Sequence, residues 1–179
     1  MAETFEAADR LDAPLVVVHA GTFTTSDPGP AFERFSEFTD RWSDPRLVVE
    51  NLPVTFRGVR MLGNTGADLA GLISGTKLGI CLDFSHLYCS SVSLDLPFKD
   101  ILSEFRPLPV KYHHLTKSGP RGERDEHRGL DDPRGDLPVK DVLTWIRARP
   151  DVPTALEYKK GGAYNRRQAE IFTALLQGK

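Results

Sequence analysis

Histidine and carboxylate residues recur in this chain where extended runs break into turns. His19 ends LVVVHAG, Glu50 ends RLVVENLP, and Asp83 and His86 close LGICLDFSH. His114 closes VKYHHLTKS, Asp125 and His127 follow in RGERDEHRG, and Glu157 closes TALEYKKG. The remaining histidine, His113, directly neighbours His114. Imidazole with carboxylate and no thiolate suits zinc, manganese or iron rather than calcium or a soft copper site. Glu50, Asp83, His114 and Glu157 could hold one ion. His19 could hold a second, with a carboxylate such as Glu50 bridging, and His86 with Asp125 and His127 a third. Ions so held polarise a phosphoryl or carbonyl oxygen and lower the pKa of water toward neutrality.

Residues this far apart can share ions only if the fold brings the ends of their strands together, as a βα barrel does around its axis. The pattern alternates accordingly. Phe5, Ala8 and Leu11 give an opening helical stripe, and a strand follows at 15–21. Phe32, Phe35, Phe38 and Trp42 mark a helix with a core-facing aromatic side. Further strands are expected at 46–52, 77–84, 109–115 and 153–158, with helices near 66–74, 97–105 and 164–177. Another helix carries Val142, Leu143 and Ile146, with Asp136 as its expected N-cap. The stretch 117–136, dense in Gly, Arg, Asp and Glu, reads as a flexible surface loop. Single helices between strands imply parallel βαβ units. The expected fold is therefore α/β, a parallel βα-repeat forming a partial barrel of about five strands in one domain over residues 1–179. Strand alternation puts His114 with Tyr112, opposite His113, and puts Asp83 with Cys81 and Gly79. A polar side chain at the C-terminal end of a barrel strand is comfortable only at the mouth of the axis.

Composition narrows the partners. The net charge of −2 gives no global attraction to nucleic acid or anionic membrane, so any nucleic-acid contact must rest on local patches or on ions. Cys81 and Cys89 make no disulfide framework, and Cys81 reads as a small buried hydrophobe. The first residues, MAETFEAADRLD, lack the apolar core of a secretory signal, and LVVV is too short to span a bilayer. A soluble protein of a reducing cytoplasm is expected, with no membrane partner.

The pieces VVVHAG, LVVENL, CLDFSH, YHHL, RDEH and ALE resemble, in order and separation, the C-terminal five βα units of endonuclease IV-type apurinic/apyrimidinic endonucleases. That family sits among the xylose isomerase-like TIM barrels. The specific parts of the resemblance are the Asp83-x-x-His86 and Asp125-x-His127 spacings. It implies up to three zinc ions. Glu50 would bridge two of them, His19 binding the first and Asp83, His114 and Glu157 the second. His86, Asp125 and His127 would bind the third. It implies Glu50 and Glu157 as catalytic carboxylates and hydrolysis of the DNA phosphodiester on the 5′ side of an abasic site. Arg121, Arg124, Arg128, Lys159 and Lys160, with Arg166 and Arg167 nearby, would contact phosphates.

The resemblance has gaps. A full barrel takes eight strands and about 250 residues, so three βα units and one further zinc-ligand histidine are expected to be missing. The family's His-Leu-Asn-Asp reads His114-Leu115-Thr116-Lys117 here, and Glu157 is followed by Tyr158-Lys159-Lys160-Gly161 instead of Thr-Pro. An open sheet has edges that invite association, so self-association or a completing N-terminal half is expected. Two other readings compete. One is a sugar or sugar-phosphate isomerase or epimerase of the same superfamily, using one manganese or magnesium ion on Glu50, Asp83, His114 and Glu157. The other is a truncated, non-catalytic barrel module. Asp125, His127 and His19 discriminate, because a one-ion isomerase does not need them.

Overall fold

In the computed structural model, which describes residues 1–178, the expected alternation becomes seven α-helices and eight strands among the described residues. They run α1 (Ala2–Arg10), β1 (Val16–His19), β2 (Thr22–Phe23), α2 (Gly29–Arg41), β3 (Leu47–Glu50), β4 (Thr55–Phe56), β5 (Val59–Met61) and α3 (Gly66–Leu72). β6 (Gly79–Asp83), α4 (Phe84–Ser93), α5 (Phe98–Ser103), β7 (Val110–His114), α6 (Val139–Arg147), β8 (Thr154–Ala155) and α7 (Gly162–Leu176) follow.

The main sheet has five strands in the order β1-β3-β6-β7-β8, every pair parallel. This is the arc of a βα barrel, as the alternation requires. The middle strands are buried on both faces: Leu47, Val48, Val49, Ile80, Cys81 and Leu82 are all closed to solvent. Hydrophobic runs without alternation are what a parallel sheet covered on both sides demands. Burying each such side chain contributes about 1.5–3 kcal/mol, so the register at the strand ends is held by the layers beneath it.

Four local features depart from the sequence reading. The first is α4, which follows β6 without a loop. Asp83 caps it, its carboxylate accepting the His86 amide at 2.8 Å. Seven of its residues are buried, so it has no polar stripe to reveal it. The second is a three-stranded antiparallel sheet, β2-β5-β4, whose strands lie outside the five expected ones. Its hairpin turn is Arg57-Gly58, both at positive φ, the geometry that matches strand twist.

Asp136 is not a helix cap: α6 starts behind Pro138. The Asp136 carboxylate instead accepts the Tyr88 hydroxyl at 3.0 Å, and its carbonyl accepts Ser118 N and Oγ. Nor is 117–136 a slack loop. Antiparallel bridges join Lys117 to Arg128 and Ser118 to Asp136, and Gly119 N donates to Arg124 O at 2.7 Å. A polar composition hid this order because backbone bridges and polar side chains supply much of it, with Leu130 alone of the segment joining the hydrophobic core.

The helix layer packs as expected. Phe35 is buried, with Phe32, Phe38 and Trp42 against the core. α3 opens with a capping box between Thr65 and Asp68, and its Gly66 sits where a side chain would strike the Glu104 backbone. No helix among the described residues is long and apolar enough to cross a membrane.

Candidate metal centre

Every donor but three stands at, or just beyond, the carboxyl end of a main-sheet strand. His19 ends β1, Glu50 ends β3, Asp83 ends β6 and His114 ends β7. Parallel register sets His19 opposite Glu50 and Asp83 opposite His114. β8 is only two residues long, so Glu157 lies just past it on irregular chain, not within a strand as expected. His86 sits in the first turn of α4, and Asp125 and His127 come from the ordered 117–136 segment.

Glu50 is the hub. Its Oε2 is 3.0 Å from His19 Nε2, and its Oε1 is 3.0 Å from His114 Nδ1 and 3.4 Å from His86 Nδ1. His114 Nε2 reaches Glu157 Oε1 at 3.5 Å. Donor atoms of Glu50, Asp83, His114 and Glu157 all lie within 4.8 Å of one another, as do those of His86, Asp125 and His127. In the second group Asp125 Oδ2 is 3.3 Å from His86 Nε2 and 3.0 Å from His127 Nε2.

Two of these rings are oriented by backbone carbonyls. His86 Nδ1 donates to Asn51 O at 3.0 Å, and His127 Nδ1 donates to Glu157 O at 2.8 Å. A carbonyl only accepts, so Nδ1 keeps its proton and Nε2 is the nitrogen free to bind an ion. His127 holds this pose at φ 47, a left-handed conformation costly for a residue with a side chain.

Asn51 was not anticipated as part of the site. Its amide donates to Asp83 O at 2.9 Å and accepts from Asp83 N at 2.7 Å. The side chain thereby mimics one more residue of strand after β3 has ended, and it fixes the backbone that carries the Asp83 carboxylate. Its signal in the sequence is an amide directly after a strand-end glutamate.

Charge in the pocket fits cations. Among the described residues, no lysine or arginine pairs with Glu50, Asp83, Asp125 or Glu157; their ion-pair partners are histidines. Burial opposes ionisation of Glu50, yet bonds from His114 and His19 and the His86 charge bring its pKa down to about 2. Asp83, almost wholly enclosed, is pushed up to about 6 by burial against the opposing pull of His86. Burial disfavours charge on His86, but Asp83 and Asp125 outweigh it and raise the ring to about 10. Hydrogen bonding to Asp125 raises His127 to about 9. Imidazolium thus does the work of neutralising the carboxylates, a role that divalent cations can take over with release of the ring protons. The donor set therefore fits divalent metal.

The structure also adds a donor that the sequence reading left out. Cys81 Sγ lies within 4.8 Å of donor atoms of both Glu50 and His114. It is closed to solvent, as expected, but it faces the site with Asp83 and is not merely core filling.

The centre opens into a cleft of about 980 Å³. Arg124, Lys159 and Lys160 line it, as does Arg57 from the unexpected hairpin. Arg121 and Arg128 lie off it, Arg121 bonded to Glu123 and Arg128 to Glu126 and Asp132. Lys117 turns away to donate to Asp132 O at 2.8 Å. His113, on the opposite face from His114, joins the core instead, accepting from Trp145 Nε1 and bonding Thr154 Oγ1.

A family model described as xylose isomerase-like TIM barrel matches residues 1–175. No curated protein matches the chain in sequence. Among solved structures, a D-tagatose 3-epimerase-like protein aligns with a TM-score of 0.75 at 22% identity, over 96% of this chain and 65% of that one. Endonuclease IV from Thermus thermophilus aligns with a TM-score of 0.69 at 24% identity, over 97% of this chain and 65% of that one. D-psicose 3-epimerase aligns with a TM-score of 0.55 at 17% identity, over 87% and 60%. The chain thus spans just under two thirds of the length of these structures, and at such identities the likeness is one of fold.

Proposed function

Because the chain belongs to the xylose isomerase-like TIM barrel family, we propose that it is a zinc-dependent phosphodiesterase that incises DNA on the 5′ side of abasic sites. The observation that carries this reading is the second donor group. His86, Asp125 and His127 form a complete set of their own beside the one built on Glu50, Asp83, His114 and Glu157. A one-ion sugar enzyme needs only the latter. Here the rings of His86 and His127 are moreover oriented so that both Nε2 atoms face Asp125.

Glu50 would bridge two ions, with His19 on the first and Asp83, His114 and Glu157 on the second. His86, Asp125 and His127 would hold the third. Bound there, divalent ions supply charge against a phosphoryl oxygen and lower the pKa of water toward neutrality. The protein's part is positional. Glu50, held ionised, and Glu157, whose side chain keeps 40% of its surface open, flank the cleft as candidate catalytic carboxylates. Arg57, Arg124, Lys159 and Lys160 line the approach and would take the phosphates on either side of the lesion.

A second reading rests on the completeness of the four-donor group, which suits one manganese or magnesium ion and a sugar substrate undergoing isomerisation or epimerisation. One experiment separates them. The purified chain is exposed to zinc or manganese, desalted, and assayed for bound metal, for nicking of a duplex with one abasic site, and for epimerisation of a ketose. Two or three zinc ions with incision support the phosphodiesterase. One manganese ion with epimerisation and no incision overturns it.

A further inference from the structure

We propose that Cys81 gives this centre a second coordination mode, in which its sulfur joins Glu50 and His114 around a thiophilic divalent cation such as cadmium. The inference rests on the metal centre proposed above but adds to it a ligand that carboxylate and imidazole chemistry alone does not include. Three observations converge. Cys81 is the Cα partner of Glu50 across β3 and β6, and it shares its strand face with Asp83. Its Sγ, a Glu50 carboxylate oxygen and a His114 ring nitrogen all lie within 4.8 Å of one another, a separation that one ion can span. Finally, the thiol is closed to solvent and lies among oxygen and nitrogen donors, the one soft donor in that group.

The two modes share Glu50 and His114 and differ in the rest. Asp83 and Glu157 complete the upper one, which is all oxygen and nitrogen. Cys81 lies two residues before Asp83 on the same strand face, one layer below the mouth, and completes the lower one. Hard ions such as manganese and magnesium favour the upper set, and soft ions favour the sulfur. A bound divalent cation favours the thiolate form of a sulfur ligand. As the sulfur–metal bond forms, the S–H bond breaks heterolytically and the proton passes to solvent; nothing is oxidised or reduced. The floor of the site thereby becomes a trap for cadmium, which would occupy the position that a catalytic ion shares.

The test is cadmium titration of the full chain, read by the ultraviolet sulfur-to-cadmium charge-transfer band and by cadmium content after desalting. A band that saturates with bound cadmium, vanishes in Cys81→Ser and persists in Cys89→Ser is the expected result. Cadmium affinity should fall about tenfold or more in Cys81→Ser, while far-ultraviolet circular dichroism stays unchanged. Should that variant not fold, the ¹¹³Cd resonance of the wild-type chain decides, because a sulfur ligand moves it far downfield of a site made only of oxygen and nitrogen. Cadmium retained without the band or the downfield resonance overturns Cys81 as a ligand and leaves the proposed centre standing. A band that survives in Cys81→Ser does the same. No retained cadmium in the wild-type chain overturns both.

Discussion

Replacing Asn51 by alanine tests whether a side chain closes the sheet beneath the metal centre. β3 ends at Glu50, and the Asn51 amide then bonds both backbone groups of Asp83. Asn51 is fully enclosed and Asp83 nearly so, so bulk water does not replace what the substitution removes. Each buried backbone group left without a partner costs about 1–3 kcal/mol, which places the loss for the pair between about 2 and 6 kcal/mol. The space vacated by the amide can admit one water that bridges the two groups and returns part of this. The expected loss is therefore about 3 kcal/mol, a large fraction of the roughly 5–15 kcal/mol that holds a domain together. Urea unfolding followed by the fluorescence of Trp42 and Trp145 reads it, with the slope against urea unchanged. Zinc affinity should fall by about 10–100-fold, because the Asp83 carboxylate loses the backbone anchor that aims it. A loss under about 1 kcal/mol with unchanged zinc affinity would mean that the Asn51 amide neither closes the sheet nor aims the carboxylate.

Other substitutions and conditions probe the rest of the centre. His127→Gln should lower the zinc stoichiometry by one and suppress incision of abasic DNA, while the ion on Glu50, Asp83, His114 and Glu157 remains; unchanged stoichiometry contradicts this. Metal uptake should release protons at pH 7, since without metal His86 and His127 stay protonated up to about 10 and 9. The ion binds only the neutral rings, so affinity climbs by about tenfold per pH unit for each proton displaced and levels off above those values. Calorimetry in buffers of different ionisation enthalpy counts these protons, and finding none at pH 7 rules out imidazolium as the charge that metal replaces. Thr65→Ala removes the cap of α3 and should cost about 1 kcal/mol without changing metal content. Finally, β1 and β8 are the outer strands of the main sheet, so self-association is expected; a monodisperse monomer in sedimentation counts against it.

The parts of this architecture that the sequence displays are those that depend on periodicity and on strand ends. Five parallel strands in order, their donors at one end, and the split between His113 and His114 follow from alternation alone. The missed parts obey other physics. α4 escapes notice because a helix buried on nearly every side shows no stripe, and its Ser-rich sequence is no strong helix former. The 117–136 segment is ordered by bridges and side-chain caps whose partners lie as far away as Tyr88. Asn51 and Cys81 were visible as residues, but their roles depend on which neighbour stands opposite in the sheet. Register across β3 and β6 decides that, and a single strand read alone does not contain it.

The strand order of the main sheet is also the order of the chain, and this has a consequence in time. Each strand can dock on its predecessor as soon as it emerges during synthesis, with no earlier segment waiting for a later one to slot between. The candidate donors arrive in the same sequence, from His19 to Glu157, so the proposed ion cluster would be incomplete until the two-residue β8 is in place. Glu157 is thus the last donor to arrive, and its carbonyl also aims His127. Ion capture would then act as a latch on the finished molecule: early intermediates bind weakly, and the last step of folding is the one the metal rewards.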